Sequence, residues 1–308
     1  MAVTLKNVSS PYVITCASSQ TGSACAKFLI DKGLPVRLIV RNASKVEHLR
    51  LKGAEVVESD ITDTNKMIEA MKGSRAVYFM NPPTYHEDMF ETADKVYKTF
   101  LSAAEAANVT KLVCLSTVGA HIDKGTGNIY TGYMMEKDFA YLSKNTSLTF
   151  LRCAWFMSNW QNFLSKASEA GELKSLLNPV SLKIPMIDPE DIGQTSAELL
   201  SDSHVSGLRI VNLRGPEDYS AEDVAKAISE VSQKVIKCSP FSTQECRHMF
   251  DKIGFDLKSI NAWIEMLEGF NNGTITFPKD ENVEEIIPKI IRPPAVILLE
   301  NELPDHYF

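Results

Sequence analysis

Cysteine is scarce and scattered in this chain. The six residues, Cys16, Cys25, Cys114, Cys153, Cys238 and Cys246, form no CxxC pair and show no ligand spacing, so a disulfide framework and a zinc ribbon are both excluded. The six histidines, His48, His86, His121, His204, His248 and His306, contain no HExxH pair, and no metal is expected. Long apolar runs are absent as well. Ala76–Met80 and Ala295–Leu299 are among the longest and fall far short of the ~20 residues that span a bilayer, so no membrane segment is expected. Met1–Pro11 carries one lysine and no apolar core of a secretory signal, which leaves the cytoplasm as the expected compartment. There is no excess of positive charge: 32 Lys and Arg against 39 Asp and Glu give a net charge of −7, which argues against nucleic acid as a partner.

What is present is an ordinary globular composition, 44% apolar and 23% charged over 308 residues, enough for one large domain or two intimate ones. Short β-branched runs alternate with helical-period stretches through the first 150 residues, the pattern of βαβ units on a parallel sheet. Strands are expected at Tyr12–Ala17, Val36–Val40, Glu55–Glu58, Ala76–Met80, Lys111–Leu115 and Leu148–Arg152. Helices are expected between them, including about Thr21–Lys32 and Met89–Asn108. The fold class is therefore α/β: a Rossmann-type, doubly wound parallel sheet over residues 1–152, with a smaller, mainly helical C-terminal lobe over residues 153–308. Within that lobe helices are expected at Asp191–Leu200, Ala221–Val231, Thr243–Ile253 and Leu257–Phe270, with short strands near Arg209–Leu213 and Lys234–Cys238. The strand near 209–213 is expected to return to the main sheet. Residues 277–308 hold five of the fourteen prolines, and an irregular wrap around the lobe is expected there.

The turn after the first strand reads Cys16-Ala17-Ser18-Ser19-Gln20-Thr21-Gly22. A dinucleotide fold places its phosphate loop here, where amides and the helix dipole favour an anion. In a GxxGxxG frame Cys16 and Ser19 replace the first two glycines and only Gly22 remains. Two readings follow: a loop in which Ser18, Ser19 and Thr21 offer hydroxyls to phosphate, or a filled loop that binds no nucleotide. After the second strand no acid awaits a ribose 2′-hydroxyl. Arg41 and Lys45 suit a 2′-phosphate instead, favouring NADP(H) over NAD(H), unless they are simply solvated cations. Asp60 either accepts from an adenine amino group or caps the following helix.

These features, with Asn81-Pro82-Pro83, Leu115-Ser116-Thr117, Phe150-Leu151-Arg152 before Trp155-Phe156, and Asp188-Pro189-Glu190-Asp191-Ile192-Gly193, resemble in order and spacing the NmrA-like group of atypical short-chain dehydrogenases over about residues 11–270. The resemblance implies a Rossmann domain that binds NADP(H) and a substrate cleft under a C-terminal lobe. It implies cofactor contacts at the Cys16–Gly22 loop, Arg41, Lys45, Asp60, Asn81, Pro82, Ser116, Thr117 and Ala154-Trp155-Phe156. Many members of that group place a Lys or His four residues ahead of an acid on the helix before strand six. Counting back from Phe150-Leu151-Arg152 puts the acid at Asp138 and the Lys or His position at Met134, which then faces the nicotinamide.

Beside that frame, Tyr133-Met134-Met135-Glu136-Lys137 matches the YxxxK of ordinary short-chain dehydrogenases. There Tyr133 is the acid, Lys137 its partner one helical turn on, and Ser116 the carbonyl orienter; the alternative is an amphipathic helix with an exposed lysine. His86 and His121 follow strand ends, where ligands bind in an open α/β sheet, and Trp155 and Trp160 suit an apolar wall for a small planar substrate. The expected function is NAD(P)H-dependent hydride transfer to a small planar electrophile, a quinone-like compound or a conjugated carbonyl or imine. The alternatives are a dinucleotide sensor without turnover and a cofactor-independent enzyme on the same fold.

Overall fold

The fold, a computed structural model, describes residues 10–279 and 283–288. The Met1–Pro11 stretch up to residue 9, most of the proline-rich tail, the Ala295–Leu299 run and His306 lie outside the described residues.

Val36-Arg37-Leu38-Ile39-Val40 shows how the sequence makes its strands: branched side chains pack on both faces of a pleated surface. Successive residues alternate faces, so Tyr12 and Ile14 join one core while Val13 joins the other. The strands are β1 (Tyr12–Ile14), β2 (Val36–Val40), β3 (Glu55–Glu58), β4 (Ala76–Phe79), β5 (Lys111–Thr117) and β6 (Ser147–Cys153). With β10 (Leu208–Leu213) and β13 (Glu284–Ile286) they form one sheet in the order β13-β10-β6-β5-β4-β1-β2-β3, and every pairing in it is parallel. The order reverses between β1 and β4, the switch point at which such sheets open a crevice beyond their carboxyl ends.

Helices α1 (Gln20–Asp31) and α7 (Pro189–Ser201) cover one face, and α3 (Thr64–Met71), α4 (Met89–Ala106) and α5 (Tyr130–Phe139) the other, with a short α2 (Glu47–Arg50) following β2. The chain therefore leaves the sheet after β6 and comes back to it through α7 and β10. Between and after these lie the lobe's elements: β7 (Trp155–Phe156), α6 (Gln161–Ala170), β8 (Glu172–Ser175), β9 (Ile184–Ile187), β11 (Asp218–Tyr219), α8 (Ala221–Ser232), β12 (Lys237–Pro240), α9 (Thr243–Lys252) and α10 (Leu257–Asn271). Two small sheets, β11-β9-β7 and β12-β8, brace this lobe, and its core gathers Trp155, Trp160, Phe250, Trp263 and Phe270.

The Asp188–Gly193 segment has a plain structural meaning. Asp188 caps α7 by accepting from the Glu190 amide at 3.0 Å, and Pro189 supplies the fixed φ of a first helical residue. Gly193 lets α7 touch α1, since a Cβ there would lie 2.3 Å from Ala24 Cβ and 2.6 Å from the Cys25 nitrogen. Both clashes are with short, stiff groups. Gly193→Ala should therefore destabilise the protein by about 2 kcal/mol, read as a lower urea midpoint with an unchanged slope.

Candidate functional site

Helix α1 begins at the switch point with Ser19 as its N-cap, whose Oγ accepts from the Gly22 amide at 3.1 Å. The amides of Gln20 and Thr21 are left without an intrahelical acceptor at the positive end of the helix. Gly22 is required, because a Cβ there would sit 2.6 Å from the Cys16 carbonyl oxygen. Cys16 occupies a left-handed conformation, φ +49°, which glycine would adopt without strain. Ser19 does not: at φ −74° it is ordinary extended backbone, and a serine there caps the helix better than glycine. The two replaced glycines thus differ in kind, one strained and one useful.

The hydroxyls of this loop are drawn to Met80. Ser19 Oγ donates to the Met80 thioether at 3.1 Å and Thr21 Oγ1 at 3.7 Å, while Tyr78 Oη donates to Thr21 Oγ1 at 3.0 Å. The Cys16 thiol donates to the Met80 carbonyl at 3.7 Å, and burial pushes its pKa up to about 12, so it is no nucleophile. Gln20 is tied across to the far side of the crevice by Ser158 Oγ, which donates to its Oε1 at 2.9 Å.

From this loop a cavity of about 360 Å³ runs beneath the lobe. Ser19, Gln20 and Thr21 lie at one end. Met80, Asn81, Pro82, Leu115, Ser116 and Thr117 line its middle, at the carboxyl ends of β4 and β5. Tyr85, Trp155, Phe156, Trp263, Met266 and Phe270 make an aromatic and thioether wall. Among the described residues that line it there is no Asp, Glu, Lys, Arg or His. Its tyrosines are weak acids: burial raises Tyr85 to about 12, and Tyr97 is raised by burial and donates to the Thr131 carbonyl at 2.9 Å.

The charge lies one layer deeper. Glu136 on α5 and Arg152 on β6 are 8% and 5% exposed and form a two-pronged pair, Nε to Oε1 at 2.9 Å and Nη2 to Oε2 at 2.5 Å. Ser116 Oγ donates to the same Oε1 at 2.6 Å. Ser116 thus spends its proton on Glu136 and does not orient a carbonyl by donation. Sequence reasoning passed over this pair, although an arginine closing the apolar run Leu148–Leu151 is a signal in itself: a charge on a buried strand needs a partner. With Glu136 as the acid on the side of α5 toward the site, one layer beneath the cavity, the position four residues ahead is Gly132, not Met134.

Helix α5 turns Thr131, Gly132 and Met135 to the cavity. Tyr133, Met134 and Lys137 are not among the lining residues; Tyr133 stacks on Tyr130 at 5.5 Å and the Lys137 ammonium lies 5.9 Å from the Tyr133 ring centre. The YxxxK residues and Ser116 are therefore not brought together, and Met134 yields its expected place to Met135. His86 is exposed, and its Nδ1 donates to the Gly254 carbonyl at 2.8 Å, a tie between loop and lobe. His121 is exposed, outside the cavity, with its pKa lowered by burial of the ring and then by the Arg152 charge. Trp160 belongs to the lobe core beside the cavity.

On the other side of the phosphate loop, Arg41 and Lys45 are exposed at the end of β2, with no salt bridge to either among the described residues. Glu58 accepts from the Ala43 amide at 3.1 Å and holds that turn. Asp60 accepts from the amide and hydroxyl of Thr62 at 2.8 and 2.6 Å, which with the Arg41 charge keeps its carboxyl below the usual range. The cap of α3 is Asp63.

The strain at Cys16 and its absence at Ser19 make a paired test. Cys16→Gly should stabilise the protein by about 1 kcal/mol by removing a left-handed L-residue, whereas Ser19→Gly should cost a few tenths through loss of the cap, both from urea unfolding.

A model of an NAD(P)H-binding family matches residues 16–202. An NAD(P)H azoreductase of Xenophilus azovorans is 22% identical over 247 residues, covering 80% of this chain and 82% of that protein. Among solved structures, the Citrobacter triphenylmethane reductase complexed with NADP(H) superposes with a TM-score of 0.74 at 20% identity, over 94% of this chain and 99% of that one. The NADPH-dependent quinone oxidoreductase QOR2 of Escherichia coli, complexed with NADPH, gives 0.71 at 20% identity, over 86% and 93%. The structural likenesses show a shared fold, and the matched model, which spans more than half of the chain from the phosphate loop through α7, shows descent: this protein belongs to the NAD(P)H-binding family, in agreement with its resemblance to the NmrA-like atypical short-chain dehydrogenases.

Proposed function

We propose that the protein is an NADPH-dependent reductase that passes hydride to a small, planar, electron-poor substrate such as a quinone-like compound or a conjugated carbonyl or imine. The observation that carries this reading is the cavity itself, which starts at a helix N-terminus and ends on an aromatic wall with no charged side chain in between. The donor set fits the dinucleotide. Amides of Gln20 and Thr21 would hold the pyrophosphate, Arg41 and Lys45 the 2′-phosphate, and Asn81, Pro82, Ser116 and Thr117 the nicotinamide half.

Bound NADPH supplies the hydride at C4 of its nicotinamide ring. What the chain does is bind, orient and exclude water. Tyr85, Trp155, Trp263 and Phe270 would hold a flat substrate in register beneath the lobe. None of the lining residues is an acid or base suited to neutral pH, so the substrate must accept hydride without a proton delivered in the same step. An electron-poor conjugated system does this by spreading the charge; an isolated ketone does not. The same lack of an acid suits a sensor that binds NADPH without turnover, and a turnover assay separates the two.

Calorimetric titration should show NADPH binding at least tenfold tighter than NADH, and Arg41→Ala should remove most of that difference while leaving NADH affinity unchanged. Equal affinities would overturn the NADPH preference, and failure of both to bind would favour the cofactor-independent alternative. Binding without reduction of any quinone in a panel would favour the sensor.

Because Tyr133 does not line the cavity and stacks on Tyr130, Tyr133→Phe should keep kcat within about threefold of the parent in the same quinone assay. A loss of about 10²–10⁴ would restore the tyrosine-acid mechanism.

A further inference from the structure

The pair beneath the cavity decides which way one of its hydroxyls faces. A serine hydroxyl has one proton and two lone pairs. Ser116 directs its proton at Glu136 Oε1, 2.6 Å away, and the carboxylate is held in place by both arms of Arg152. A carboxylate in that pair can only accept, so the Ser116 proton has no reason to turn outward. Among the described residues no N–H or O–H donates to Ser116 Oγ, and its lone pairs remain unused at the cavity surface.

We propose that Ser116, locked by Glu136 and Arg152, is a dedicated hydrogen-bond acceptor that selects a ligand bearing an N–H donor, and that this donor is the carboxamide of the nicotinamide ring. The inference rests on the reading that the cavity takes NADPH. Topology places the ring: the phosphate site is the N-terminus of α1 after β1, and Arg41 and Lys45 claim the half of the dinucleotide that lies toward β2. The other half must run toward β4 and β5, where Ser116 lies. Gly132 lines the cavity beside Ser116, and a Cβ on it would stand 2.8 Å from Thr117 Cγ2 and touch Ser116 Oγ at 3.8 Å, so a side chain here would crowd the surface around the hydroxyl. Ser116 would thereby hold the carboxamide edge of the ring toward the end of β5. Glu136 and Arg152 touch no ligand and act as positioning residues.

The test compares NADPH with its reduced 3-acetylpyridine analogue, in which a methyl group replaces the amide nitrogen and no N–H remains on that substituent of the ring. Dissociation constants are read from nucleotide fluorescence for the parent, Ser116→Ala, Ser116→Thr and Glu136→Gln. The parent should favour NADPH by roughly five- to tenfold, the worth of one hydrogen bond. Ser116→Ala should bring the ratio to about one by weakening NADPH alone, and Ser116→Thr should restore it. Glu136→Gln, which can donate to Ser116 and free its proton, should also lower the ratio with the hydroxyl still present. A parent ratio near one, or a ratio unchanged in Ser116→Ala, would overturn the proposal while leaving NADPH binding intact. Failure of the parent to bind NADPH would overturn the functional reading and this proposal with it.

Discussion

The contact on which the rest depends is the close approach of α7 to α1. Gly193 and the backbone around Ala24 meet with no room for a methyl group, so the helix that starts at the phosphate loop is clamped between the sheet and a helix that arrives more than 160 residues later. A helix dipole is useful for binding only if its first turn is aimed, and aiming requires that the helix cannot slide. Gly22 serves the same end from within the loop, by letting α1 begin directly over the Cys16 carbonyl.

Electrostatics is arranged in layers. The cavity wall is neutral and largely apolar, while Glu136 and Arg152 cancel one another behind it. Removing either partner would leave an uncompensated charge in the core, a large penalty that replacing both by apolar groups would avoid. Such a pair adds little net stability. Its value lies in direction, because a bidentate fork fixes the carboxylate and the carboxylate fixes the hydroxyl above it.

The central sheet was legible in the sequence because parallel strands buried on both faces leave apolar runs that composition alone reveals. Val36–Val40 coincides with the observed strand to the residue, and so does Glu55–Glu58, although this edge strand has exposed glutamates at both ends and shows only the pair Val56-Val57 as an apolar signal. The lobe was harder. Three of its helices, α8, α9 and α10, were visible by period while α6 was not expected, and β7, β8, β9 and β11 are two to four residues long, too short for a pattern, and exist because of one another. The phosphate loop could be placed from spacing, yet spacing did not reveal that Cys16 alone of the two replaced glycines carries a left-handed backbone. The helix before β6 misled for a different reason. An ungapped count back from β6 crosses the tighter 3₁₀ turn at Ala140–Lys144 and lands on Asp138 and Met134, while the buried carboxylate is Glu136, identified only by Arg152 beneath it. A literal YxxxK match carried no information about which side of α5 faced the site.

The segment between β4 and α4 is fastened to the lobe at several points. His86 reaches the Gly254 carbonyl, the Asp256 amide donates to the Tyr85 carbonyl at 2.8 Å, and Lys258 pairs with Asp88. Tyr85, in the middle of this strap, is also part of the aromatic wall. A molecule seated against both Tyr85 and the start of α1 would therefore act as one more rivet between the two parts of the protein. By mass action the concentration of such a molecule would become a term in the folding equilibrium, so that ligand supply would also set how readily this chain unfolds and is exposed to proteolysis.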